Sequence, residues 1–364
     1  MNSQNTDTHS SETYYLPEGQ LLNLPRNRDL TSSLQGLERA MNAGTILEGV
    51  AILCDNGMNL HIELPSLPDV QAVIPPAEAV YSPHGTPVKD IAILTRVGKA
   101  VCFKVTSMDR RDGTVHVSLS RRAAQAECMA YYLASLRPGD ILPARVTHME
   151  SFGAFVDIGC GISSLLSVDT ISVSRISHPR DRLYNGQSIR VVVRSMEWGE
   201  DGLPKRIFVS TRELLGTWAE NATHFRAGDT VAGIVRSVES YGVFVELTPN
   251  LAGLAELKED VAAALDTKAL IGRRATVFIK SILPERMKIK LVLLDTYKEA
   301  AFALPPLTYY VPENVTHLSE WRYSTPTAQK QIRSLFDPPR RPIIAPAVPV
   351  PNLGGITAVF WRHL

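Results

Sequence analysis

The feature of this sequence that most constrains its fold is a pattern that occurs three times in order. Each copy opens on a glycine followed by a largely apolar segment, at Gly44–Val50, Gly139–Arg145 and Gly228–Ile234. A recurring unit of this kind predicts a tandem array of similar folding units. Each copy also contains a second shared segment (97–105, 185–193, 271–279) and ends on an alternating stretch (115–119, 206–210, 288–293).

Apolar residues alternate with period two inside the copies, which is typical of half-buried strands rather than helices. In the second copy Ala154 and Val156 face one way, and Phe155 and Asp157 face the other. The third copy repeats this with Val243 and Val245 against Phe244 and Glu246. Several short strands with glycine turns favour a small closed barrel, because closure removes exposed strand edges.

The segments between the copies change to a helical period. Leu214, Trp218, Ala222 and Phe225 form an apolar stripe, and residues 122–136 are rich in alanine. The flanks are polar or proline-rich, so we expect extended arms at both ends. The sequence therefore divides into an N-terminal arm (1–43), a first barrel with an insert (44–122), a helical linker (123–136), a second barrel (137–212), a second helical linker (213–225), a third barrel (226–296) and a proline-rich tail (297–364).

One short motif occurs in both arms. Thr13-Tyr-Tyr-Leu-Pro-Glu18 recurs as Thr308-Tyr-Tyr-Val-Pro-Glu313. Two interpretations stay open at this point: docking of both arms on a barrel or a partner, or chance similarity.

Large aromatic residues are predicted on the outer face of the second and third barrels. Phe155 and Phe244 lie on the solvent side of the alternation, where a large ring gains no core burial. Stacking of unpaired bases explains such rings. Phe152 and Tyr241 occupy matching positions three residues earlier, where they either join the stacking surface or cap the end of the barrel.

The second copy resembles the S1 motif, the OB-fold RNA-binding repeat of bacterial ribosomal protein S1. The resemblance rests on Gly139–Leu142, Ser151–Ile158 and Leu165–Leu166, and the third copy matches nearly as well through 241–247 and 253–256. It implies a mainly β chain of three tandem five-stranded S1-type barrels joined by short helices. The aromatic pair and a histidine would form its RNA face, with a basic and an acidic residue near the last hairpin.

Transferring those roles position by position gives a partial match. The aromatic positions are Phe152 and Phe155, and Tyr241 and Phe244, whereas Ser167 and Glu256 replace the histidine. Glu256 would repel a phosphate. The basic positions are Arg206 and Lys288, and the acidic ones are Glu197 and Glu285.

The first copy departs furthest from the motif. Aligned through Gly57, its aromatic positions are Asn56 and Asn59, so we interpret this barrel as degenerate for RNA and as a docking or structural unit. The formal net charge of +1 argues against a strongly basic protein that binds nucleic acid non-specifically, so any positive groove must be local. Arg145 and Arg194 in the second copy, and Arg236 and Lys280 in the third, are the candidates to complete it.

No catalytic or cofactor motif is found. The four cysteines are widely spaced, and neither a P-loop nor an H-E-x-x-H metal motif occurs. We therefore predict no enzyme activity, no cofactor, no metal, no small-molecule substrate and no membrane association, in a cytoplasmic protein. The leading hypothesis is sequence-tolerant binding of single-stranded RNA, with the small ribosomal subunit as a possible partner. The alternative is a protein-interaction adaptor, which the near-neutral charge and Glu256 favour.

Overall fold

The computed structural model describes residues 15–82, 88–256, 267–298 and 306–336, in which three closed five-stranded barrels follow one another. In each barrel the strands pair in the order 1-2-3-5-4, and the third and fifth strands are parallel. The predicted fold class is confirmed. The strands are β1 (Leu47–Cys54), β2 (Leu60–Glu63), β3 (Val70–Ile74), β4 (Ala100–Arg111) and β5 (Thr114–Ser120); β6 (Ile141–Glu150), β7 (Gly153–Asp157), β8 (Ser163–Ser167), β9 (Ser188–Trp198) and β10 (Pro204–Ser210); and β11 (Thr230–Glu239), β12 (Gly242–Thr248), β13 (Leu251–Glu256), β14 (Arg274–Leu283) and β15 (Lys288–Tyr297).

The predicted alternation decides which residues fill the barrels. Ala154, Val156 and Ile158 are fully buried in the second barrel, and Val243 and Val245 are fully buried in the third. Each barrel bends through the same two bulges, at which one strand has an extra residue and its pairing register shifts by one. The extra residues are Ile52, Thr147 and Arg236 on the first strand, and Thr106, Arg194 and Lys280 on the fourth.

Short helices connect and flank the barrels. The predicted stripe is confirmed as a packing element, because Leu214, Trp218 and Ala222 are buried in the core of the third barrel and Phe225 packs against it. The α-helices are α1 (Pro25–Thr31), α2 (Leu34–Ala43), α3 (Asp90–Leu94), α4 (Arg121–Glu127), α5 (Val168–Ile171), α6 (Trp218–Ala222) and α7 (Thr267–Leu270); a π-helical turn spans Cys128–Tyr132, and single 3-10 turns span Pro76–Glu78, Leu133–Ser135, Pro179–Asp181, Arg212–Leu214 and Pro284–Arg286.

Within the described residues 15–43, the N-terminal arm is largely helical rather than extended, because α1 and α2 occupy most of 25–43. Its polar composition hid a capped amphipathic helix: the Ser33 side chain accepts from the Gly36 N–H, and Gly44 ends α2 in the left-handed region at a φ of 61°. Leu37 and Ala40 then pack on the first barrel.

The segment before these helices joins the first two barrels. Glu18 is buried, and Nε and Nη2 of Arg121 donate to its carboxylate at 2.6 and 3.0 Å. The Glu18 N–H donates to Oδ2 of Asp157 in the second barrel at 2.7 Å. The carboxylate of Glu48 in the first barrel accepts from the N–H groups of Gly19, Leu21 and Leu22.

The described C-terminal segment joins the second barrel to the third. The Arg190 N–H donates to the Tyr309 hydroxyl at 2.9 Å, and the Arg190 side chain donates to the carbonyls of Val311, Pro312 and Val315. Trp321 and Phe336 then enter the core of the third barrel, beside two short paired strands, β16 (Glu320–Arg322) and β17 (Arg333–Leu335).

The repeated arm motif docks at equivalent places. Tyr15 stacks on Tyr132, in the linker that follows the first barrel, at 5.6 Å between ring centroids. Tyr310 packs on the linker that follows the second barrel, where its hydroxyl lies 2.8 Å from Nε2 of His224. Within the described residues the two copies therefore hold successive barrel junctions, which favours docking over chance similarity. Thr13 and Tyr14 lie outside the described residues.

None of the helices in the described part of the chain has the length and apolar character that crossing a bilayer requires.

Candidate nucleic-acid interface

The outer face of the second barrel carries a pair of aromatic rings. Phe152 lies in the turn before β7 and is 54% exposed, while Phe155 on β7 is half-buried and outside the barrel core. Their ring centroids are 6.1 Å apart and the planes are nearly perpendicular, at 89°. Gly153 permits this turn, because a Cβ there would lie 2.6 Å from the carbonyl oxygen of Leu166 on β8.

The third barrel repeats this arrangement closely. Tyr241 is 57% exposed, Phe244 on β12 is half-buried, and their centroids are 6.2 Å apart at 88°. Gly242 lies as close to the neighbouring strand as Gly153 does, with a Cβ position 2.6 Å from the carbonyl oxygen of Ala255. The four rings predicted from sequence thus form two matching surfaces, which we call the second and third aromatic platforms.

A histidine that the sequence reasoning missed extends the second platform. Across the bulge at Thr147, β6 places His148 directly opposite Phe155. The two rings are 6.4 Å apart and tilted by only 21°, and Nε2 of His148 lies 2.6 Å from Oε1 of Glu150. The bulge changes the face on which residues after 147 appear, so a simple alternation along β6 could not place this ring. The third barrel has Ser237 in the equivalent position.

The neighbouring strands continue each platform differently. Phe155 pairs with Leu165 on β8, which pairs in turn with Phe208 on β10. Because directly paired residues share a face, Phe208 lies on the same face as Phe155, two strands away. In the third barrel the same path runs from Phe244 through Leu254 to Lys290, so a cation replaces the ring.

The first barrel shows that the sequence alignment through Gly57 was wrong. Strand pairing places His61, opposite Leu53 beyond the bulge at Ile52, in the position of Phe155 and Phe244. Asn59 instead belongs to the turn, where its backbone and side chain donate to Asp55. These hydrogen bonds and that of His61, whose Nε2 lies 3.1 Å from Asp55 Oδ2, lower the pKa of Asp55 to about 2. The insert leaves the barrel closed, although residues 83–87 lie outside the described structure.

Ser167 and Glu256 do occupy equivalent positions, opposite Gly153 and Gly242. Ser167 is half-exposed beside the second platform. The carboxylate of Glu256 lies 3.3 Å from Nζ of Lys290, so a cation partly offsets the negative charge that we expected to repel phosphate.

Four of the predicted cations are exposed. Arg194 and Lys280 are the extra residues of equivalent bulges, which turns both side chains outward. Arg206 and Lys288 also correspond, and Arg206 forms an exposed ion pair with Glu197 at 3.7 Å. Glu285 is not the counterpart of Glu197: Leu283 pairs with Lys288, and Glu285 lies in the 3-10 turn beyond.

Two predicted cations are used inside the protein instead. Arg236 is buried between the barrels, where Nε donates to Glu246 at 2.8 Å and Nη1 lies 3.6 Å from Asp181. Its side chain is therefore not free for phosphate, contrary to our expectation. Nη1 of Arg145 donates to the carbonyl oxygen of Glu18 at 3.4 Å, so the N-terminal segment occupies this side chain. The sequence could not reveal which segments pack against these two side chains.

Within the described ranges, no group of three or more histidine, cysteine or acidic side chains is arranged to hold a metal ion.

Comparison with known proteins identifies the second barrel. Residues 135–201 match the S1 RNA binding domain. The chain is 34% identical over 167 residues to the small ribosomal subunit protein bS1 homolog of Bacillus subtilis strain 168, covering 44% of this chain and 42% of that protein. It is 29% identical over 207 residues to small ribosomal subunit protein bS1 of Staphylococcus aureus strain COL, covering 55% and 51% respectively. The predicted resemblance is thereby confirmed.

These matches span about half the length of both relatives. Among solved structures, a multidomain protein with nucleic acid binding domains from Streptococcus pneumoniae aligns over 71% of this chain and 74% of that chain, at 14% identity and a TM-score of 0.21.

Proposed function

We propose that this chain binds single-stranded RNA by stacking bases on its second and third aromatic platforms. The observation that carries the proposal is the repetition of one geometry: two perpendicular ring pairs, 6.1 and 6.2 Å apart, each with an outer ring more than half exposed. Perpendicular rings offer one face to a base and one edge to its neighbour. Each stacked base would contribute about 1–3 kcal/mol.

The charges near the platforms favour sequence-tolerant binding. Arg194 and Arg206 in the second barrel, and Lys280 and Lys288 in the third, would contact phosphates. Because backbone phosphates are common to all sequences, these contacts add affinity without base preference. If all four cations contact phosphates, the logarithm of the affinity should fall by about 3 per log unit of salt, since each contact contributes about 0.7.

Translation is the proposed setting. The relatives in Bacillus and Staphylococcus are named as small ribosomal subunit proteins, which supports messenger RNA as the ligand and the small ribosomal subunit as the partner. The role would be that of a cytoplasmic, non-catalytic RNA-binding protein.

Titration of a labelled oligouridine of about 20 nucleotides tests the proposal. The Phe155→Ala, Phe244→Ala double variant should bind at least about 5-fold more weakly than the parent, because each barrel loses a stacking ring worth at least about 1 kcal/mol per base. The Phe152→Ala, Tyr241→Ala variant tests whether the outer rings also stack. Undiminished binding by the first variant would refute the stacking assignment.

A second candidate function applies to the first barrel. Ile52, Leu53, Ile91 and Leu94 are large apolar side chains that are about half exposed on this barrel. Exposed apolar residues of this kind favour contact with a protein. In this role the chain is an adaptor, and an Ile52→Ser, Leu53→Ser variant should cosediment less with small ribosomal subunits while its affinity for oligouridine stays unchanged.

A further inference from the structure

A cleft lies between the second and third barrels, with a volume of about 470 Å³. The second barrel lines it with Met149 and with residues of the loop before β9, and the third barrel lines it with residues of β11. The loop residues include Arg180, Asp181, Tyr184 and Asn185, and those of β11 include Arg236.

One wall of the cleft presents a tyrosine ring to solvent. Tyr184 is 56% exposed, although the residue before it, Leu183, is buried in the barrel core. The Tyr184 N–H donates to Oε1 of Gln187 at 3.0 Å. The backbone is therefore anchored by the buried Leu183 and by the hydrogen bond to Gln187, while the Tyr184 ring is exposed. Because Leu183 and Gln187 hold the backbone in place, less conformational entropy is lost when a ligand stacks on the Tyr184 ring.

The same wall presents an exposed cation. Within the described residues the guanidinium of Arg180 has no hydrogen-bond or ion-pair partner, although its backbone N–H donates to Nδ1 of His178 in a capping box. Asp181 also lines the cleft, but its carboxylate accepts from the N–H groups of Ser177 and His178 and lies 3.6 Å from Nη1 of Arg236. Arg180 is thus the cation of this wall that is available to an anionic ligand.

The walls of the cleft are held in place by buried polar contacts between the barrels. Arg182 donates to both carboxylate oxygens of Glu246, at 2.6 and 2.7 Å. The N–H of Val173 donates to Oδ1 of Asn250 at 2.9 Å, and the N–H of Ser174 donates to the Pro249 carbonyl at 3.0 Å. The cleft therefore exists before any ligand arrives.

Two residues that line the cleft are next in sequence to residues that pair with the platforms. Met149 directly follows His148, which pairs with Phe155 of the second platform. Arg236 directly precedes Ser237, which pairs with Phe244 of the third platform. The two strands that carry the platform partners His148 and Ser237 therefore also line the cleft.

We propose that this cleft is a third RNA-binding subsite, in which Tyr184 stacks a base and Arg180 contacts a phosphate of a strand that bridges both barrels. This inference rests on the proposed function, because it requires that both platforms hold RNA. It makes the two barrels one continuous site rather than two separate ones.

Binding of short and long oligouridines tests the bridge. An oligomer of about 5 nucleotides fits one barrel, whereas one of about 20 nucleotides reaches across two. Tyr184→Ala should weaken binding of the long oligomer by about 5-fold or more and leave the short one unchanged. Arg180→Ala should lower the salt dependence of the long oligomer by about 0.7 log unit per log salt.

Matched controls come from exposed residues elsewhere. Tyr131→Ala removes a tyrosine that is 73% exposed in the linker between the first and second barrels, and Arg110→Ala removes an exposed arginine of the first barrel. Both should bind both oligomers like the parent. Photocrosslinking of a long oligomer that carries 4-thiouridine should label the peptide containing Tyr184 in the parent protein.

The outcomes separate the two proposals. If Phe155→Ala, Phe244→Ala weakens binding but Tyr184→Ala does not change the affinity for the long oligomer, the cleft is not an RNA-binding subsite and the proposed function stands. Equal weakening of short and long oligomers by Tyr184→Ala would place Tyr184 in a single-barrel site and overturn the bridge. If the platform variant binds like the parent, the proposed function fails, and the bridge fails with it.

Discussion

Arg182 of the second barrel and Glu246 of the third barrel form a buried bidentate ion pair, with N–O distances of 2.6 and 2.7 Å. A third charge joins them, because Arg236 donates to the same carboxylate at 2.8 Å. Burial alone raises the pKa of Glu246, but the hydrogen bonds and charges of Arg182, and then of Arg236, outweigh it and hold the pKa below its usual range. An ionised carboxylate therefore contributes to the joint between the proposed RNA-binding barrels, beside the hydrogen bonds of Val173 and Ser174 to the third barrel.

Replacing Glu246 by glutamine should destabilise this joint. The two guanidinium groups would remain buried without a counter-charge, and breaking a buried ion pair costs about 3–5 kcal/mol. Urea unfolding followed by tryptophan fluorescence measures the loss, since Trp218 and Trp321 lie in the core of the third barrel. Glu197→Gln is the matched control, because its pair with Arg206 is exposed at 3.7 Å and should contribute less than about 1 kcal/mol.

Acid should weaken the same joint. The pKa of Glu246 is lowered in the folded protein, so its ion pair stabilises the fold above the ordinary value of 4.5 and loses this effect as pH falls through the lower folded value. Urea midpoints measured from pH 6 down to pH 3 should fall more steeply for the parent than for Glu246→Gln. Parallel curves would show that Glu246 does not titrate with the joint.

The joint between the first and second barrels should respond to pH in the opposite direction. Burial raises the pKa of Glu48 to about 7. The hydrogen bonds from the N–H groups of Gly19, Leu22 and Leu21 lower this pKa but do not outweigh the burial. The contribution of Glu48 to stability is therefore complete below about 4.5 and is lost as pH rises through about 7. Amide exchange protection of Gly19, Leu21 and Leu22 should fall between pH 5 and pH 8. Glu48→Gln should flatten this profile.

His148 should strengthen the second platform relative to the third. Its ring lies nearly parallel to Phe155, so it widens the stacking surface. His148→Ala should weaken binding of a short oligouridine by about 2- to 5-fold, less than loss of Phe155, because the Phe155 ring itself remains. Ser237→His, at the equivalent position of the third barrel, is the reciprocal test and should increase affinity. Unchanged binding by both variants would remove His148 from the interface.

Gly153 should resist substitution even by alanine. The added Cβ would lie 2.6 Å from the Leu166 carbonyl oxygen, and strand separation must then increase. Overpacking of this kind costs about 1–3 kcal/mol. Thermal unfolding of Gly153→Ala should show a lowered midpoint, whereas Ser151→Ala in the exposed part of the same turn should not. A parent-like midpoint for Gly153→Ala would mean that the turn adapts.

The sequence predicted the barrels and the platforms because both depend on local patterns. Period-two alternation identified Val156 and Val245 as core and Phe155 and Phe244 as outer residues, and burial agrees. The same reasoning failed where an extra residue enters a strand. The bulge at Thr147 brought His148 onto the platform, and the one at Ile52 shifted the first barrel so that His61, not Asn59, holds the equivalent position.

Charged residues could not be assigned from the sequence for a different reason. Arg194 and Arg236 were both predicted to complete a local positive groove. Arg194 is exposed, but Arg236 is buried against Glu246 because the second barrel packs on that face. The partner of a long side chain is set by what folds beside it, often many residues away in the chain.

By itself, the sequence determined three successive barrels, the rings on the outer faces of two of them, and the resemblance to the S1 motif on which the proposal of RNA binding rests. Only the tertiary structure decided how the barrels are joined, which cations remain exposed, and that Tyr184 and Arg180 line a cleft between the second and third barrels. The reason is physical: side-chain alternation is a property of each strand, whereas contacts between barrels arise from surfaces that meet only when the whole chain has folded.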